Sequence, residues 1–95
     1  MSIELAHEPE ASRYTLTVDG QLAVVLDYKA NEHAISMTRT FTVPSFRGQK
    51  LAAQLVEFAV DDVEANDSRR IVPMCWYVAD WFEAHGERGH LLSER

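Results

Sequence analysis

The stretch Val43-Pro44-Ser45-Phe46-Arg47-Gly48-Gln49-Lys50-Leu51-Ala52 concentrates the residue types that can hold a small anion. A Thr-rich run ends at Pro44, a short loop carrying Arg47 and Gly48 follows, and an amphipathic pattern begins. The first amides of a helix have no partners inside the helix, and the helix dipole adds partial positive charge there. Phosphate groups suit such a site. Gly48 lets a backbone approach an anion closely, and Arg47 and Lys50 add full charges. The same pattern also describes an ordinary strand-to-helix turn with exposed basic residues, and spacing alone does not separate the two readings.

Charge distribution in this region reads either as the footprint of a small anion or as chance clustering on a strand and helix start. The 95-residue chain carries a net charge of −6, which argues against general nucleic-acid binding and against an anionic membrane surface. From His33 to Gln54, however, there is no Asp or Glu, while Arg39, Arg47 and Lys50 all fall in that window. Further along, Cys75 is the only cysteine, so neither an internal disulfide nor a cysteine-based zinc site is expected, and no metal ligand set stands out. A thiol next to a helix start can act as a nucleophile if its thiolate is stabilised; the alternative is a buried small hydrophobe. Tyr77 by itself reads as a packed aromatic with its hydroxyl at the surface. His85 reads as a base, as a phosphate contact, or as a histidine favoured near a helix C-terminus. His33 reads as solvated, and Trp76, Trp81 and Phe82 as core and pocket wall.

The elements that must position these residues follow from periodicity. Residues 13–18 alternate polar and apolar, Asp19-Gly20 marks a two-residue hairpin, and residues 22–28 return as a largely apolar strand expected in mid-sheet with both faces covered. After a turn at 30–33, Ile35, Met37, Arg39 and Phe41 alternate with Ser36, Thr38, Thr40 and Thr42, which predicts a long strand ending at Pro44. Leu51, Leu55, Phe58, Ala59 and Val63 recur at helical spacing, predicting a helix from near Gly48 to Asn66-Asp67. A short strand at Ile71-Val72 stops at Pro73, and a second helix runs from Trp76 or Tyr77 to His85, with a polar, weakly determined tail from Gly86 onward. The order implies a single α+β domain. No apolar run approaches the ~20 residues that span a bilayer. The N-terminus does not read as a secretory signal, so the reducing cytoplasm is the expected location.

Two segments together resemble the GNAT N-acetyltransferases. Arg47 and Ala52 match the ends of the signature Arg/Gln-x-x-Gly-x-Gly/Ala, Gly48 matches a glycine often found after the arginine, and Lys50 stands where the central glycine is expected. Ile71-Val72-Pro73-Met74-Cys75-Trp76-Tyr77-Val78-Ala79 resembles an apolar-Pro-apolar-Cys-x-aromatic segment of the shortest members of that superfamily, which often continue to a His at about the position of His85.

The resemblance implies a minimal GNAT fold: a mostly antiparallel central sheet with a V-shaped splay, and two packed helices. It implies acetyl-CoA as cofactor, held by Phe41, Thr42, Val43, Arg47, Gly48, Gln49, Lys50, Leu51, Ala52 and Cys75, with Cys75 as a candidate acetyl-accepting nucleophile and Tyr77 as a candidate proton donor to the CoA thiolate. The implied activity is acetyl transfer to a primary amine of a small molecule or protein, by a monomer or weak homodimer. The alternative is a non-catalytic CoA-binding or protein-interaction module. It draws on Lys50 in the glycine position, on the missing strand carboxylate, and on Arg39, which would repel a cationic acceptor if it pointed into the cleft.

Overall fold

The computed structural model describes residues 2–92. Five strands, β1 (Ile3–Glu8), β2 (Arg13–Val18), β3 (Gln21–Ala30), β4 (Ala34–Thr42) and β5 (Arg70–Pro73), form one sheet in the order β1-β2-β3-β4-β5. The first four pair antiparallel; β5 joins β4 in parallel after the helix α1 (Leu51–Asn66), and α2 (Trp76–Ala84) follows. This is the α+β architecture expected from the run of strands followed by helix, strand and helix.

Local chemistry fixes the turns. Asp19 and Gly20 both have positive φ (50° and 82°), as a two-residue hairpin with right-handed strand twist requires. Asn31 Oδ1 accepts the amides of His33 and Ala34 and closes the β3–β4 turn. β1 escapes the periodicity reading because it is an edge strand whose Leu5, facing the helix side opposite Leu16, stays 36% exposed.

Both helices lie on one face of the sheet. Leu16, Val24, Leu26, Ile35, Met37 and Ile71 meet Leu55, Val56, Ala59, Val60 and Val63 of α1 and Val78, Trp81 and Phe82 of α2 in one buried cluster. β3 is central, as expected, but only this face is covered: Leu22 on the other side is 42% exposed, which corrects the expectation of two covered faces. The run of apolar residues in β3 is continuous because a bulge sets both Ala23 and Val24 inside.

α1 is anchored near its C-terminal end. The buried Tyr14 hydroxyl donates to Asp62 Oδ2 at 2.7 Å, Asn66 Nδ2 donates to Asp62 Oδ1, and the His7 ring stacks on Tyr14 with centroids 4.2 Å apart. The tail is held as well. Residues Gly86–Leu91 form 3-10 turns, Arg88 bonds Asp61 and Glu64 of α1, and Leu91 and Leu92 pack on the core. The polar composition of the tail hid this clamp, which depends on acids in another element; residues 93–95 lie outside the described residues.

α1 begins at Leu51 rather than near Gly48, because Gly48 (φ 82°) and Lys50 (φ 60°) are left-handed and cannot belong to an α-helix. A side chain in this region costs roughly 1–2 kcal/mol. Lys50 therefore holds a backbone shape suited to glycine. Lys50→Gly is expected to stabilise the fold by about 1 kcal/mol, raising Tm by about 4–8 °C in a thermal unfolding scan; a lower Tm would show that the lysine side chain does more than tolerate the turn.

The Tyr14 anchor sets a pH dependence. Burial first, then the hydrogen bond and charge of Asp62, push the Tyr14 phenol far above its ordinary value. Because the folded state holds the proton more tightly, this stabilisation is complete below the ordinary tyrosine pKa of about 10 and is lost as pH rises beyond it. In denaturant titrations, Tyr14→Phe should cost about 1–3 kcal/mol at neutral pH, and the gap to wild type should narrow above about pH 10.

Candidate functional site

The site is built where β4 and β5 part. Their parallel ladder covers only Ala34↔Arg70 through Met37↔Pro73, while β4 continues to Thr42. Two features end the pairing together. Pro73 has no amide to extend the ladder, and β4 carries an extra residue at Thr38, since Asp27 faces Arg39 while Tyr28 faces Met37. The Cys75 amide then donates to the Met37 carbonyl at 3.0 Å and turns the chain into α2.

The bulge changes which side chains face the helices. Before it, Ile35 and Met37 point into the core; after it, Thr40 and Thr42 do, opposite the buried Leu26 and Val24, and Arg39 and Phe41 turn to the open face. The simple alternation read from the sequence put Arg39 and Phe41 on the same face as Met37, and the inserted residue corrects it. Arg39 lies over the Phe41 ring at 5.1 Å and reaches Asp27 at 3.7 Å. It therefore stands away from the helix-side cleft, and a repulsion of cationic acceptors there is not its role.

A cavity of about 280 Å³ opens beside the loop, lined by Thr42, Phe46, Arg47, Gly48, Lys50, Leu51, Ala52 and Tyr77. The structure thus brings together six of the ten residues read as cofactor ligands, with Tyr77 from the first turn of α2 on the opposite wall. Of the other four, Cys75 lies close by on Thr40, Gln49 is exposed and does not line the cavity, and the Phe41 side chain is on the far face. Val43 spends its amide on the Ala23 carbonyl at 2.8 Å.

The N-terminus of α1 is open. No side chain caps it and no acidic residue stands in its first turn; its first backbone bond is from the Gln54 amide to the Lys50 carbonyl at 3.4 Å. The amides of Leu51, Ala52 and Ala53 have no backbone acceptor among the described residues. With Arg47 and Lys50 beside them, these amides form an electropositive mouth that fits a phosphate or pyrophosphate.

Cys75 stands at the start of α2 with its Sγ 3.6 Å from Thr40 Oγ1. Partial burial raises the thiol pKa, but the Thr40 hydroxyl and the amides of Val78, Tyr77 and Thr40 outweigh it, and the net direction is downward. No α2 amide makes a capping hydrogen bond to Sγ, so those amides act as nearby dipoles. Tyr77 is half-buried, and burial raises its pKa, which keeps the phenol protonated. Thr40 and Phe46 were not among the site residues read from the sequence. Thr40 reaches the helix side only through the bulge, and Phe46 carried no signal beyond being the one aromatic in the loop.

A second cavity of about 290 Å³ shares the Tyr77 wall and is bordered by Trp76, Asp80, Trp81 and His85. Trp81 and Phe82 are core as expected, whereas Trp76 is 73% exposed and serves only as wall. His85 stacks on Trp81 and bonds the Trp81 carbonyl through Nδ1 at 2.7 Å, which fits the helix-terminus reading. His33 is exposed in its turn.

The lowered thiol pKa has a direct test. The rate of Cys75 alkylation should rise with pH about a midpoint below the ordinary ~8.5, and Thr40→Val should move that midpoint upward. A midpoint at or above the ordinary value would remove any case for thiolate chemistry here.

No helix among the described residues is long and apolar enough to cross a membrane. No curated protein matches the chain significantly. Residues 13–91 match the family described as GCN5-related N-acetyl-transferase, a span that includes the bulged strand, the Arg47–Ala52 loop, Cys75 and Tyr77. The loop, the parted strands and the match across most of the chain agree, and the protein belongs to the GCN5-related N-acetyltransferase family.

Proposed function

We infer that the chain binds acetyl-CoA at the mouth of α1 and transfers its acetyl group to a primary amine. The observation that carries this reading is the uncapped, acid-free start of α1 flanked by Arg47 and Lys50 at the edge of a cavity. The amides of Leu51 and Ala52 and the charges of Arg47 and Lys50 would hold the pyrophosphate. The stretch of β4 beyond Thr38, without a β5 partner, offers main-chain groups to an extended arm. Acetyl-CoA supplies an activated acyl group as a thioester. Tyr77, kept protonated by burial, would donate its proton to the departing thiolate as a general acid. Cys75, two residues before Tyr77 and with its sulfur on Thr40, could act as a nucleophile: it would take the acetyl group as the CoA thiolate leaves, and the amine would then displace the thiol. A single cysteine kept as a thiol suits the cytoplasm, and the fold is read as one domain.

A second reading, CoA binding without transfer, rests on one observation. Among the described residues no carboxylate lines the cavity beside Arg47, and Asp80 and His85 border only the adjoining one, so no base for the incoming amine stands in the cavity itself.

Calorimetric titration with acetyl-CoA and a turnover assay against a panel of amines separate the readings. Arg47→Ala should weaken binding about tenfold, equivalent to ~1.4 kcal/mol. Tyr77→Phe should lower kcat at least about tenfold, at the low end for loss of a general acid, with little change in Kd. Binding without turnover on any amine would favour the second reading, and absence of binding by the wild type would sink both.

A further inference from the structure

The sheet face turned away from both helices carries its own pattern. Register sets Glu8, Arg13, Asp27 and Arg39 directly opposite one another across β1 to β4, so their charges read minus, plus, minus, plus. Neighbours in the row are paired within the chain: Arg13 Nε to Glu8 Oε1 at 2.6 Å and Arg39 to Asp27 Oδ2 at 3.7 Å. The next row outward-facing on the same strands is Ala6, Thr15, Val25 and Phe41. Phe41 is 38% exposed, Thr15 is recessed among its neighbours, and the core residues of β2 to β4 lie on the opposite face. The two helices that pack on these strands, α1 and α2, lie on the opposite face.

We propose that this face is the interface of a homodimer, made by a second copy turned about a two-fold axis that runs parallel to the strands between β2 and β3. That rotation reverses each row against itself. Glu8 meets the partner's Arg39, and Arg13 meets the partner's Asp27, so every charge faces its opposite. In the apolar row Phe41 meets the partner's Ala6, and Val25 meets the partner's Thr15, so large faces small. A two-fold contact demands this kind of self-complementarity, in which one patch serves both partners. Twist crosses packed sheets at about 30°, leaving the central Arg13–Asp27 contacts nearest the axis and asking the long Glu8 and Arg39 side chains to span the ends.

Size sets the strength. Four strands about 4.8 Å apart and roughly six residues long give a face near 20 Å square, about 400 Å² per copy. That is well below the ~800 Å² per partner of a standard stable complex, so the dimer is weak and concentration-dependent. The Arg47 cavity lies on the helix side and stays open in the pair.

Sedimentation velocity on the full chain, from micromolar to millimolar concentration, reads the dimer constant. The wild type should dimerise within that range and more weakly as salt rises. Arg39→Glu sets a carboxylate against the partner's Glu8 at both ends of the row and should weaken association at least about tenfold. Reversing the whole row (Glu8→Arg, Arg13→Glu, Asp27→Arg, Arg39→Glu) preserves the within-chain pairs and the self-complementarity. That variant should dimerise with itself but not with wild type, whose charges it would meet like to like. A wild type that stays monomeric overturns the proposal. So does a dimer indifferent to Arg39→Glu, or free mixing of wild type with the reversed chain. Should the fourfold variant fail to fold, Arg39→Glu decides alone, since that side chain is 64% exposed and its substitution leaves the core untouched.

Discussion

The extra residue at Thr38 is the constraint on which the site depends. A strand's side chains alternate with a period of two, so one inserted residue exchanges the faces of everything after it. Without the insertion, Thr40 and Thr42 would point to the open face, and Arg39 and Phe41 would be driven into the core beside Leu26 and Val24. With it, the thiol of Cys75 finds Thr40 and the cavity finds Thr42. The same residue coincides with the end of β5 pairing at Pro73, so one local irregularity both opens the cleft and chooses its lining.

The loop after β4 shows how a backbone can keep its shape while its chemistry changes. Gly48 and Lys50 both take left-handed conformations, and between them they turn the chain so that the first amides of α1 face outward. The lysine keeps the turn and adds a charge beside the mouth of the helix, offsetting part of the steric cost of its Cβ with favourable electrostatics toward an anion. The loop and the parted strands are thus two independent devices that meet at one cavity, and Tyr77 closes it from the second helix.

Much of this was legible in the residues, and the remainder has identifiable causes. Asp19-Gly20 announced its turn because left-handed φ values at two successive positions admit few residue types. The spacing of Leu51, Leu55, Ala59 and Val63 announced α1 because burial selects one helix face. The bulges at Ala23 and Thr38 left no such mark: a bulge is a relation between two strands, and the run Ile35 to Thr42 alternates smoothly on paper. β1 was missed because an edge strand buries little, and the Arg88 clamp because its partners, Asp61 and Glu64, belong to another element. At the site, the Arg47–Ala52 loop was visible from its composition, whereas Thr40 became a neighbour of Cys75 only through register.

The Tyr14–Asp62 contact has a mechanical side. Asp62 lies about eleven residues along α1 from Leu51, a distance of roughly 17 Å at 1.5 Å per residue. A helix over that length behaves as a stiff rod, so the point at which it is pinned to β2 acts as a pivot for its far end. A small change of tilt at the pivot is magnified at the mouth where the anion would rest. Aim at one end of the molecule is therefore set by a hydrogen bond at the other, and a lesion near Asp62 can misalign a mouth it never touches.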